Sequence, residues 1–328
     1  MKRSSGCHPE RERGAGVGGR REDRFALVRV GMTCIVLLFA TAAYGDGEQR
    51  FAKIGDLDIG YRTYGTLAAD KSNVIVVLTW FGGTSADLAG WIGAGNLYDS
   101  SRYHIIVIDA LGDGVSSSPS NSHLSKITIR DMVRSQHELL TRELKLDHVL
   151  AVSGLSMGGM QTFQWAVSYP EFMTKAIPIV GTPKLTAYDL LLWKTELSLI
   201  DSPLGMKAAA DINEMHLHTP AYIAGHTKDI DALMKSHEES LRRLDRRNYA
   251  ALLRAMIGHD IGSFESVRAK MLIVVSQQDH MVNPAPAEEF ARATKSQLLT
   301  LTGDCGHLAT ACEKERLIEA VARFLGTP

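Results

Sequence analysis

The feature that most narrows the fold is a series of short apolar runs in which hydrophobic residues do not alternate with polar ones. They fall at 74–78, 105–108, 149–152, 176–180, 271–275 and 298–301. A strand with one wet face alternates, whereas a strand covered on both faces has no reason to. The runs therefore predict a sheet buried on both sides. Helical patterns lie between several of them. One opens at Thr128, a hydroxyl N-cap with Asp131 three positions on, and carries Met132, Leu139, Leu140 and Leu144 on one side. Another follows Ser156, carries Met160, Phe163, Trp165 and Ala166, and stops at Tyr169-Pro170; a last one spans 316–325. Parallel strands need crossover connections and helices supply them, so the alternation predicts a doubly wound, mostly parallel α/β sheet. Ahead of it, runs 51–54 and 57–64 flank Gly55-Asp56 and predict an antiparallel hairpin.

The rhythm breaks once. Between 180 and 271 lie about 90 residues, far more than a structureless connection in a compact domain. They hold helical patterns at 190–199 and 230–256 and no strand-like run. The expectation is a helical lid inserted after the sixth strand. The organisation that follows is a core formed by 46–181 and 269–328, with the lid at 182–268.

Residues 1–45 have a different character. A basic stretch containing Arg20, Arg21, Arg24 and Arg29 leads into the apolar run 30–40, and Ala40-Thr41-Ala42-Ala43-Tyr44-Gly45 follows. Positive charge, a short apolar centre and an A-x-A-like exit are the parts of a secretory signal peptide. The apolar run falls short of the roughly 20 residues that a membrane span needs. The expectation is a cleaved leader at 1–45 and a secreted or periplasmic chain, with a membrane anchor as the alternative. Without the leader the chain carries 28 basic and 33 acidic residues, a net charge of −5. No basic stripe remains, which argues against nucleic acid as a partner. There is neither a P-loop nor a G-x-G-x-x-G at the first strand, so no nucleotide cofactor is expected. Cys7 and Cys34 leave with the leader. Cys305 and Cys312 remain, and in an oxidising compartment they are either a disulfide or two buried thiols; the sequence leaves both open.

The chemistry-bearing motif is Gly154-Leu155-Ser156-Met157-Gly158, between the buried run 149–152 and a helix. A G-x-S-x-G sequence in that context forms a tight strand-to-helix turn that exposes the serine hydroxyl, and the flanking glycines avoid collisions as the turn folds back. A serine hydroxyl needs a general base, and the base needs an orienting acid. Asp279 follows the run 271–275 and His307 follows the run 298–301, so both sit at carboxyl ends of strands, where α/β sheets place their sites. The candidate triad is Ser156, Asp279 and His307. Asp304 and Asp260 are rivals for the acid, and His259 and His280 for the base. Acyl transfer also needs N–H donors for the developing oxyanion. Met157, directly after the serine, supplies one. The loop Thr79-Trp80-Phe81-Gly82-Gly83-Thr84 supplies the other, with Phe81 chosen and Trp80 the alternative. Trp80, Trp91 and Trp193 are candidates for an acyl pocket, although tryptophan more often serves the core. His216 and His218 are spaced to share a metal, but no further ligand pattern accompanies them, and solvent-facing lid residues are the expected reading.

At these residues the chain resembles the homoserine O-acetyltransferase-like branch of the α/β-hydrolases. The resemblance is carried by Ile127-Thr128-Ile129-Arg130-Asp131-Met132-Val133, by Gly158-Gly159-Met160-Gln161, and by Trp165-Ala166-Val167-Ser168-Tyr169-Pro170-Glu171. It continues through Ala176-Ile177-Pro178-Ile179, His259-Asp260-Ile261 and Gly306-His307. It implies the α/β-hydrolase fold, a Ser–Asp–His double displacement beneath a helical lid, and a homodimer joined through lid helices. The chain departs from the family pattern at Leu308, where the transferases usually carry an aspartate that meets the substrate amine. Ile200-Asp201-Ser202-Pro203 likewise replaces their Asp-Pro-x-Trp-like stretch. The expected function is hydrolysis of a small-molecule ester through an acyl-serine. An acyl-CoA-dependent O-acyltransferase is the alternative, and a non-catalytic binding protein is a third.

Overall fold

A computed structural model describes residues 44–326. The leader at 1–45, except Tyr44 and Gly45, lies outside the described residues, as do Cys7 and Cys34. One nine-stranded sheet organises the chain. β1 (Tyr44–Asp46), β2 (Arg50–Ile54) and β3 (Leu57–Thr66) are antiparallel. β4 (Val74–Leu78), β5 (His104–Ile108), β6 (Val149–Leu155), β7 (Met173–Ile179), β8 (Lys270–Ser276) and β9 (Gln297–Leu301) run parallel. Across the sheet the order is β1-β3-β5-β4-β6-β7-β8-β9, with β2 paired to β3.

The apolar runs in the middle of the sheet have the expected cause, whereas 298–301 lies in the edge strand β9, where only Leu301 is buried and Leu298 is exposed. β4 and β5 are buried at every position, and the pleat sends alternate residues to opposite faces. Val76, Leu78, Ile106 and Ile108 join one hydrophobic core, and Ile75, Val77, Ile105 and Val107 join the other. The first core receives Met132 from α1 (Ile129–Glu138) and Phe163 from α2 (Met157–Ser168). The second receives residues from the C-terminal helix described below. A capping box fixes the start of α1: Thr128 Oγ1 accepts from Asp131 N–H and the Asp131 carboxylate accepts from Thr128 N–H. Beyond Glu138 the helix widens into a π-turn, Leu139–Glu143.

Five helices fill the segment between β7 and β8: α3 (Ala187–Ile200), α4 (Gly205–Leu217), α5 (Pro220–His226), α6 (Ile230–Leu241) and α7 (Arg246–Ile257). The single pattern expected at 230–256 is thus two helices, because Asp245 caps a new one by accepting from Arg247 N–H. The insertion follows the expected strand, which is the seventh rather than the sixth. Tyr44 and Gly45, assigned to the leader, pair with Thr66 and Gly65 and so add a first strand that the sequence reading did not contain. After β8 come α8 (Ala285–Thr294), then α9 (Ala309–Cys312) and α10 (Lys314–Gly326). Phe290 of α8 enters the first core, and Leu317, Val321 and Phe324 of α10 enter the second. Among the described residues no helix is long and apolar enough to cross a membrane.

Candidate active site

Ser156 sits at the junction of β6 and α2 with φ 57° and ψ −118°. That backbone region is unfavourable for a residue with a side chain, by about 1–3 kcal/mol, and surrounding contacts must hold it. Ser156 N–H donates to the Ile179 carbonyl at 2.8 Å, which pins the turn to β7. A methyl group on Gly154 would lie 2.6 Å from the Gly158 carbonyl, and one on Gly158 would lie 2.4 Å from the Leu78 carbonyl oxygen. Both positions therefore require glycine for close approach, as the motif predicts.

The three candidate side chains meet although they are far apart in sequence. His307 Nε2 lies 2.9 Å from Ser156 Oγ, and His307 Nδ1 lies 2.7 Å from Asp279 Oδ2. An ionised carboxylate only accepts, so Nδ1 carries the proton and Nε2 is left to accept from the serine hydroxyl. The Asp279 and His307 side chains are 2% and 6% exposed. Asp279 Oδ1 accepts from the backbone N–H groups of Met281 and Val282, both at 2.8 Å. Its two oxygens therefore have separate, fixed partners. Ser276, at the end of β8, donates to the Gly306 carbonyl at 2.7 Å and ties the acid-bearing strand to the histidine loop. Cys305 and Cys312 form a disulfide, with 6.5 Å between their Cα atoms, so the loop bearing His307 is closed covalently.

The rival residues lie elsewhere. His259 is buried and donates from Nε2 to the Thr182 carbonyl; burial holds its pKa down to about 4. Asp260 and Asp304 are exposed. His280 is half-buried and makes no bond to Ser156. His216 bonds back to the Ile212 carbonyl, whereas His218 pairs with Glu214 and stacks on Tyr222. Both are half-buried, not solvent-facing, and they share no metal-binding group among the described residues.

A buried hydrogen-bond chain supports the loop after β4. Gln161 of α2 donates to the Thr79 carbonyl at 3.1 Å and accepts from Gln136 of α1 at 2.6 Å. Gln136 in turn accepts from Trp165 Nε1 at 2.8 Å. Gln161 and Trp165, bridged by Gln136, thus hold the loop that presents Trp80 and Phe81. Neither Phe81 N–H nor Met157 N–H donates to a protein acceptor among the described residues. Trp80 N–H is equally free, so the geometry keeps both loop candidates in place.

Ser156 and His307 open onto a cavity of about 380 Å³, within the range of small-molecule sites. Its walls are mainly apolar: Trp80, Trp91, Trp193, Met281, Val282 and Leu308 all face it. Trp80, Trp91 and Trp193 line the cavity as expected of an acyl pocket, and Leu308, directly after His307, adds an apolar side chain to the same wall. The insertion contributes Glu196, which the sequence reading missed. Burial pushes its carboxyl up to about 7, while Tyr249 donates to it at 2.9 Å and Asn213 approaches at 3.5 Å. The only sequence signal was an acid three positions after Trp193 on a strongly apolar helix. Two bonds join the insertion to the candidate triad loops. Thr219 Oγ1 donates to the Asp304 carbonyl at 2.5 Å, and Asn283 N–H donates to Asp189 of α3 at 2.9 Å.

A model of the alpha/beta hydrolase fold matches residues 73–213. An ethyl acetate hydrolase from Pseudomonas veronii is 39% identical over 153 residues, covering 44% of each chain. A homoserine O-acetyltransferase from Methanohalophilus mahii is 29% identical across 84% of this chain and 69% of its own. The chain spans about half the length of the esterase relatives it matches. The solved acetyl esterase MekB superposes with a TM-score of 0.81 over 86% of this chain and 97% of that one, at 24% identity, which speaks to the fold alone.

Proposed function

We infer, from the α/β-hydrolase fold that the chain adopts, that it hydrolyses small neutral esters through an acyl-serine. The observation that carries this reading is the hydrogen-bonded relay Ser156–His307–Asp279 at the mouth of an apolar cavity. Ser156 Oγ attacks the ester carbonyl and His307 Nε2 takes its proton, while Asp279 keeps the imidazole in the right tautomer and supports the imidazolium. The N–H groups of Phe81 and Met157 meet the negative charge on the carbonyl oxygen. His307 then gives its proton to the leaving alcohol. In the second half, His307 takes a proton from water, the hydroxide equivalent attacks the acyl carbonyl, and Ser156 is restored as the acid departs.

Leu308 favours hydrolysis over transfer to homoserine. An apolar side chain beside His307 cannot pair with a substrate ammonium, and losing a charge-assisted hydrogen bond forfeits about 1.5–3 kcal/mol. The transferase remains the second reading, because the likeness to a homoserine O-acetyltransferase extends over most of the chain. The test is an assay with p-nitrophenyl acetate, then with acetyl-CoA plus homoserine while free thiol is followed. Ester hydrolysis without CoA is expected; rapid homoserine-dependent thiol release would put the transferase first.

The proposed setting is secretion or the periplasm after loss of the leader. The Cys305–Cys312 disulfide suits an oxidising compartment, and cleavage after Ala42 would leave β1 whole. A homodimer through the insertion is proposed because Tyr188, Leu191 and Met215 expose large apolar side chains there. Sedimentation of the purified chain as a monomer at micromolar concentration would refute it.

A further inference from the structure

Two polar residues that the proposed chemistry does not use stand among those that line the cavity. Trp193 and Glu196 lie three positions apart on α3, which puts them on one face of the helix. Both line the cavity that Ser156 and His307 open onto. Trp193 is 1% exposed and Glu196 is equally buried. The Trp193 indole Nε1 is buried and has no acceptor in the protein. An orphaned buried donor of this kind is rare and calls for a partner that the protein itself does not provide. Glu196 has a partner for each oxygen, yet neither is saturated. Tyr249 donates to Oε2 at 2.9 Å, and Asn213 only approaches Oε1, at 3.5 Å. A carboxyl group, ionised or protonated, keeps acceptor capacity beyond these two contacts. Among the described residues no Lys or Arg bonds to Glu196; its partners are the neutral side chains of Tyr249 and Asn213. Folding has placed a donor without a partner and an acceptor with spare capacity on one helix among the residues that line a mainly apolar cavity.

We propose that Trp193 and Glu196 form a specificity subsite for a hydroxyl group on the substrate, so that the preferred ester is a neutral one bearing a free hydroxyl away from the scissile carbonyl. This rests on the ester-hydrolase reading and names the substrate class within it. The chemistry selects the hydroxyl because it both accepts and donates. It takes the Trp193 N–H and gives its own proton to Glu196, which completes both residues at once. An ammonium group would pair with Glu196 but has no lone pair for the indole. A carboxylate would accept from the indole but has no proton to give to Glu196. An alkyl group leaves both unsatisfied. Sites that hydrogen-bond a substrate hydroxyl reject the analogue lacking it far more strongly than apolar pockets reject an extra methylene.

The test compares matched pairs: propyl, butyl and pentyl acetate, each against its ω-hydroxy counterpart, with kcat/KM measured for the full chain. The wild-type enzyme is expected to prefer the hydroxy ester by about tenfold or more for at least one length. Trp193→Phe and Glu196→Gln, each a near-isosteric change, are expected to bring that ratio to within about twofold, mainly through KM. A ratio within twofold in the wild type at every length, with both members of each pair hydrolysed, overturns the subsite and leaves the hydrolase reading standing. A wild-type preference that survives unchanged in both variants also overturns it. Failure to hydrolyse any ester of the series overturns the hydrolase reading itself, and the subsite with it.

Discussion

Replacing Asp279 by asparagine separates the orienting role of the acid from simple space-filling. The carboxylate serves three donors: Oδ2 takes His307 Nδ1–H at 2.7 Å, and Oδ1 takes the N–H groups of Met281 and Val282 at 2.8 Å each. An amide of the same shape has one acceptor oxygen and one donor nitrogen. If the oxygen stays with the two backbone donors, the NH₂ faces His307, and the imidazole must shift its proton to Nε2. Nε2–H then points at Ser156 Oγ and cannot take its proton. If the amide flips, the NH₂ faces two backbone donors in a buried site, which costs about 1–3 kcal/mol for each group left unsatisfied. The first orientation leaves one conflict, which the imidazole relieves by changing tautomer, and so it should win. The expected result is a folded protein with kcat lower by on the order of 10⁴, the scale of a wrong-tautomer triad. Its melting temperature should change little. The assay is steady-state hydrolysis of p-nitrophenyl acetate at pH 7.5, alongside thermal unfolding by circular dichroism. A folded Asp279→Asn protein within about tenfold of wild-type kcat would refute the reasoning.

Two further outcomes follow from the same structure. Cys305→Ser with Cys312→Ser opens a short loop around His307; loop entropy predicts a loss of about 2.5 kcal/mol in urea unfolding, and an unchanged midpoint would contradict it. Glu196 has its pKa raised to about 7 by burial, so between about pH 4.5 and 7 the folded state holds a proton that the unfolded state releases, and stability falls as pH rises through that window, by up to about 3 kcal/mol. His259, held down to about 4 by burial, acts in the opposite sense and loses stability as pH falls below about 6.5. The two slopes largely offset each other in the wild type. Glu196→Gln should therefore gain stability relative to wild type between pH 5 and 8 in urea titrations, and parallel curves would show that Glu196 is not held protonated.

The inner strands were legible because burial on both faces writes itself into unbroken apolar runs, although the same pattern at 298–301 belongs to an edge strand that leaves Leu298 exposed. The position of Ser156 was legible because a strained turn tolerates so few residues at Gly154 and Gly158. His307 and Asp279 could be placed since strand ends locate them, and the structure brings them together across 28 residues. Other features left no comparable mark. The strand Tyr44–Asp46 is three residues long and its pairing with β3 is purely tertiary. The break between α6 and α7 depends on one capping aspartate inside a continuous apolar pattern. Whether Cys305 and Cys312 bond depends on the loop conformation between them, which spacing alone does not determine. Glu196 was invisible for a more basic reason. A glutamate on a helix reads as a solvated residue, and only the packing of α3, α4 and α7 buries it beside Tyr249.

The most direct measurement is the identity of the acylated residue. The wild-type chain is mixed with p-nitrophenyl acetate, quenched in acid within the first turnovers, digested and mapped by mass spectrometry. The account predicts one added acetyl group on the peptide containing Ser156, and neither that adduct nor turnover above a trace in Ser156→Ala. Acetyl found on a different residue during turnover, or a folded Ser156→Ala protein that hydrolyses the ester at near-normal rate, would contradict it.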